Sequence, residues 1–161
     1  MSDNNWETQP RKTNGEFTFR SQNDLVKTIA QKALEKMRDE EIRKTTKGGS
    51  YGYLRKIIAG NKKYEIHHMP AASISPLTKW NGPCIIMSKK DHKNTSSYGK
   101  SKKAARYRSW QAKLISQGKF LEAERMDIIN IQRKFGDRYN KSIVEKLDYE
   151  EKLVKEGIIY G

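Results

Sequence analysis

From Ser101 to Gly157 the chain repeats one pattern three times: apolar residues recurring every three to four positions, then a glycine. The apolar sets are Ala105, Trp110 and Leu114; Phe120, Ala123, Met126 and Ile129; and Ile143, Leu147 and Leu153. Such spacing gathers each set on one face of a helix, and Trp110 is assigned to the core with the rest. Gly118, Gly136 and Gly157 follow as stops, because glycine accepts the left-handed conformation that closes a helix. The predicted helices run over about 101–117, 119–135 and 140–156.

A further helix is expected over residues 23–44, "NDLVKTIAQKALEKMRDEEIRK", capped by Asn23 or Asp24. Leu25, Ile29, Ala33, Leu34, Met37 and Ile42 fall near one of its faces. "TTKGGS" then reads as a stop and a loop, and "YGYLRKIIAG" as a short helix or extended segment. Residues 1–22 are polar and read as a flexible or lightly docked arm, with "GEFTFR" alternating as a short strand would.

Between the helical regions the character changes. "KKYEIHH" is β-prone, "MPAASISPLTKWNGP" is a loop with two prolines, and "CIIMS" is a second short strand. Ser88 is a good N-cap for "KKDHKNTSSYG", a short helix that Gly99 would end. The expected class is α+β: predominantly helical, with a small core of two short antiparallel strands and a helix. The organisation predicted is an arm over 1–22, an N-terminal helical region over 23–60, and a unit over 61–161 whose core is 61–99.

Composition bounds the partners. The 161 residues suffice for one domain, but only 35% are apolar, so the core should be modest. Lys and Arg total 33 against 19 acids, a net charge of +14. Such a chain attracts polyanions: nucleic acid first, an acidic protein second, an anionic membrane third. The single cysteine, Cys84, rules out an internal disulfide and a cysteine-based zinc site, and its setting in "GPCIIM" predicts burial. No apolar run approaches the ~20 residues of a membrane span. The polar start lacks a signal-peptide core, so the sequence alone reads as soluble and intracellular, as would a domain cut from a larger secreted protein.

The chemistry concentrates in the strand–loop–strand–helix segment. The chain has three histidines, and all fall there: His67 and His68 at the end of the first strand, His92 in the short helix. Adjacent strand residues point to opposite sides, so His67 and His68 cannot share one job in a regular strand. Where the strand ends and turns, one can face the helix while its neighbour faces a substrate.

"EIHHMP", followed by "CIIMSKKDHKNT", resembles the ββα-metal, or HNH, nuclease fold of the colicin-type DNA-cutting toxins. The resemblance implies that His67 is a metal ligand, His68 the general base and His92 the ligand on the helix. Glu65, two residues before His67, stands where colicin-type motifs also carry a glutamate and is counted with the catalytic set. One divalent cation is implied, with Zn, Ni, Mn or Mg as candidates. Colicin-type helices carry a second histidine one turn on; here Thr95 and Ser96 occupy those positions. The third ligand is left among Asp91, Asn94 and a water, and metal binding should be weaker than with three histidines. Asn81 lies in the loop at a spacing that is not diagnostic of the family's central asparagine.

The span from "YEIHHMPAAS" to "RKFGDRYNKSI" also looks like the C-terminal toxin domain of bacterial polymorphic, or contact-dependent, toxins, over about residues 64–149. This resemblance implies export within a larger toxin, action in the cytoplasm of a rival bacterium, and neutralisation by a tight-binding immunity protein, whose acidic character would suit the +14 charge. Lys89, Lys90, Lys93, Lys100, Lys102, Lys103, Arg106 and Arg108 form a basic run against one acid, Asp91, with Tyr98 and Tyr107 interleaved. These cations are expected at the phosphates of nucleic acid, DNA ahead of RNA. Two alternatives stand beside the DNase: a ribonuclease toxin using the same histidines without metal, and a non-enzymatic basic nucleic-acid-binding protein.

Overall fold

The structure, a computed structural model, describes residues 22–160; "GEFTFR" and nearly all of the N-terminal arm lie outside the described residues. The chain divides into two compact units at Asp39–Glu40. The helix α1, Gln22–Thr45, crosses that division. In the first unit Ile29, Leu34 and Met37 are all at least 60% exposed, contrary to the buried face expected of them. This part of α1 sets single apolar residues among Lys, Gln, Glu and Ala, so it is helical by propensity and not by burial.

The second unit, 40–161, holds a three-stranded antiparallel sheet of order β1-β3-β2 and the other helices. The strands are β1 (Gly48–Ser50), β2 (Tyr64–His68) and β3 (Pro83–Ser88). β2 and β3 pair with His68 opposite Cys84 and Tyr64 opposite Ser88. The helices are α2 (Tyr51–Ile57), α3 (Lys89–Lys93), α4 (Lys102–Ser116), α5 (Phe120–Phe135) and α6 (Asn140–Lys155). Among the described residues no helix is long and apolar enough to cross a membrane.

The strand–strand–helix order is present, and β3 is its centre. Cys84, Ile85, Ile86 and Met87 are all fully buried, which fits a strand flanked on both edges. Leu54 of α2, Ile131 of α5, and Tyr139 and Ile143 at the start of α6 pack into the same core.

β1 falls where the sequence reads as a loop. Gly48 explains it: a Cβ there would overlap the Ser142 carbonyl oxygen and the Lys146 amide of α6. Gly48 lets β1 lie against the α6 backbone, a close approach that other residues would block.

α3 is shorter than the segment ending at Gly99. Ser88 caps it, accepting from Asp91 N at 3.2 Å, but the helix stops at Lys93. Thr95 turns its hydroxyl onto the His92 carbonyl, 2.9 Å, an alternative to the next helical bond. The segment that follows is held from outside: Lys134 donates to Asn94 O, Asn130 bonds both Ser96 N and Oγ, and Arg108 donates to Ser97 O and Gly99 O.

Candidate active site

The three histidines reach one cleft of about 210 Å³, walled by Ile66, His67, His68, Ala71, Ala72, His92, Ser97, Tyr98 and Gly99. β2 supplies two of them at its C-terminal end and α3 supplies the third. The imidazole of His67 crosses that of His92 edge-on, centroids 5.1 Å apart, and Tyr98 also meets His92 edge-on, at 5.0 Å.

Each histidine has a different environment. His67 is 3% exposed, and its Nε2 is a buried nitrogen with no hydrogen-bond partner. Burial, then the neighbouring charges of His92, His68 and Lys146, push its pKa well below the ordinary histidine value, so it stays neutral. His92 directs Nδ1 at Glu65 Oε2, 2.7 Å. A carboxylate accepts, so Nδ1 carries a proton, and Nε2 is the nitrogen that the neutral ring would have free as a ligand. Lys89 lies 3.9 Å from the other oxygen of Glu65.

His68 is set by the loop between β2 and β3. Its Nε2 lies 3.1 Å from the Lys79 carbonyl. A carbonyl can only accept, so Nε2 holds the proton and Nδ1 is left as the basic nitrogen. Burial is the main cause lowering the pKa of His68 below the usual value. Tyr51 stacks on the ring at 4.9 Å, and Lys79 Nζ lies over the Tyr51 ring at 5.0 Å. The loop is pinned to the start of α2 by Tyr51 N to Gly82 O and Gly52 N to Trp80 O, both 3.0 Å.

The remaining expected residues divide. Glu65 meets His92 and so acts through it. Asp91 is buried away from the histidines: Arg138 and Tyr139 both donate to its Oδ2 at 2.7 Å. Its charge is therefore used within the core and not at the cleft, which corrects its placement as a metal ligand. The Asn94 amide turns back onto Lys90 O. Of the basic run, Lys90, Lys93, Lys100, Lys102, Lys103 and Arg106 are exposed, as phosphate contacts must be, whereas Arg108 is spent on the loop carrying Tyr98. Tyr107 donates to buried Asp127 at 2.9 Å. Trp110 is 63% exposed and is not a core residue.

The fit to a cation rests on two nitrogens. His67 Nε2 lacks a partner, and the Glu65–His92 pair is the arrangement that orients a ligating imidazole. Among the described residues no group of three or more His, Cys, Asp or Glu is placed to hold a metal. His67 and His92 are the residues that could hold a cation here. Tyr51, Gly82 and the Lys79 carbonyl escape sequence reading altogether. Neighbours of His68 only through the fold, they carry no local pattern. No protein-family model, curated protein or solved structure matches the chain.

Proposed function

We propose that the chain is a nuclease that hydrolyses phosphodiester bonds, DNA ahead of RNA, using a divalent cation and a histidine base. One observation carries this: three histidines face one cleft, and His68 is partly exposed there with its Nε2–H held by the Lys79 carbonyl and no carboxylate bound to its ring. His68 Nδ1 takes the proton from the attacking water, since Nε2–H is committed to the Lys79 carbonyl. The lowered pKa keeps that nitrogen unprotonated at neutral pH. His67 and His92 hold the cation, with Glu65 fixing His92 in the tautomer that leaves Nε2 available. When bound, the cation supplies charge relief for the phosphate and the departing oxygen. The net charge of +14 supports a polyanionic substrate and an acidic partner. Within this reading the chain acts as an antibacterial toxin in a target cell's cytoplasm and is restrained by an acidic immunity protein.

The same cleft supports a second reading. His68 and His92 both reach its wall, the disposition a metal-free ribonuclease needs for base and acid on either side of a 2′-hydroxyl attack.

The test is incubation of wild type and His68→Ala with plasmid and total RNA, with and without EDTA. Nicked plasmid, lost in EDTA and in the folded variant, is the expected result. RNA degraded in EDTA with plasmid intact replaces the first reading by the second. Binding without cleavage under every metal overturns both and leaves a nucleic-acid-binding protein.

A further inference from the structure

The histidine cleft and two further clefts share wall residues and together outline a trough. A second cleft, about 530 Å³, shares Ile66 and His92 with the histidine cleft and is walled by Tyr51 and Arg55 of α2. A third, about 620 Å³, shares Gly60 and Tyr64 with the second and is walled by Lys62 and Lys63. The three follow β2, an outer strand of the sheet, from its last residue back past its first.

Its charge is uneven in a useful way. Arg55 donates to the Tyr51 hydroxyl at 3.3 Å, and that same Tyr51 stacks on His68. The guanidinium is therefore tied to the ring that positions the base. Lys62 and Lys63 are exposed at the far end. Each acid of the trough has a basic neighbour: Glu65 faces His92 and Lys89, and the exposed Glu41 lies 4.0 Å from Lys63. The cations of α4 do not line any part of it.

We propose that this trough is the track for the substrate strand: a phosphodiester chain whose scissile phosphate sits at the histidines runs along β2, with Arg55 and then Lys62 and Lys63 on its successive phosphates. The inference rests on the nuclease reading and deepens it, moving the strand-holding surface from the basic run at 89–108 to the opposite side of His92. Arg55 binds substrate without touching the reacting atoms, so its loss raises KM.

The test separates binding from cleavage. Fluorescein-labelled duplex DNA and single-stranded RNA are titrated in EDTA with His68→Ala, alone and combined with R55A/K62A/K63A or with K102A/K103A/R106A, across a salt series. Circular dichroism checks the fold, and R55A alone serves if the triple variant is unstable. The track variant should bind at least tenfold more weakly near 0.1 M salt. Its log–log salt slope should fall by about two to three, roughly one per cation removed. The polymer showing the larger loss is the one the track holds. Unchanged affinity and slope in the track variant, with the loss confined to the α4 variant, overturns the proposal. Absence of cleavage by wild type under any metal sinks the nuclease reading without touching this binding result.

Discussion

Gly82 lies against the edge of the His68 ring: a Cβ built on it would stand 2.8 Å from His68 Cδ2 and 3.3 Å from Nε2. Backbone strain is not the reason for glycine here, since Gly82 does not have a positive φ. The reason is space for the imidazole. Gly82→Ala should push His68 off the Lys79 carbonyl while the sheet persists. Displacing a base by a fraction of an ångström to 1 Å costs up to about 100-fold in turnover. Plasmid cleavage should fall 10- to 100-fold with Tm nearly unchanged, and wild-type turnover in a folded variant would remove His68 from the mechanism.

Glu65 acts on the cleft only through His92. Glu65→Ala should weaken binding of Zn or Mn about 10- to 100-fold, the usual cost of losing the acceptor behind a ligating imidazole. Glu65→Gln retains an oxygen acceptor and should recover part of it. Calorimetric titration with the metal alone reads this directly. Equal affinity in wild type and both variants would mean that His92 does not hold the cation.

The helices of the last third were legible because spacing and glycine stops agree, and the observed spans 102–116, 120–135 and 140–155 lie within a residue or so of those expected. Their buried faces were not. A count of apolar residues misses Gln111, Glu124, Asp127, Lys146 and Glu150, all of them buried. These polar groups face one another: Gln111 donates to Asp127, and Lys146 pairs with Glu124 and Glu150. A buried face built partly from ions turns the helix relative to its apolar stripe, which leaves Trp110, Ile129 and Leu147 outside. The histidines could be picked out because they are few and close in sequence. Tyr51 could not, because it reaches His68 only once β1 has paired with β3 and brought α2 beside the 78–82 loop.

Asp91 separates a stabilising role from a catalytic one. It is the shared acceptor of Arg138 and Tyr139 at the base of α3. Asp91→Ala takes one partner from a buried ion pair, a loss of about 3–5 kcal/mol. Tm should drop by ~10 °C, while metal affinity measured well below that Tm stays within twofold of wild type. Loss of metal binding in a folded variant would restore Asp91 to the ligand set.

Asp127 gives stability a pH signature of its own. Burial raises its pKa from 3.8 to about 7, against the hydrogen bonds from Gln111 and Tyr107, which pull it down. A folded-state pKa above the unfolded one means that the contribution to stability is fully present below about pH 4. It is lost as pH rises through about 7, at up to ~1.4 kcal/mol per pH unit. Asp127→Asn removes that proton linkage, so the stability difference between wild type and variant should shift in the variant's favour from pH 5 to pH 8. Urea unfolding of both proteins at unit pH intervals measures it. A difference that stays constant across the range would show that Asp127 is already ionised in the folded protein, with Gln111 and Tyr107 outweighing its burial.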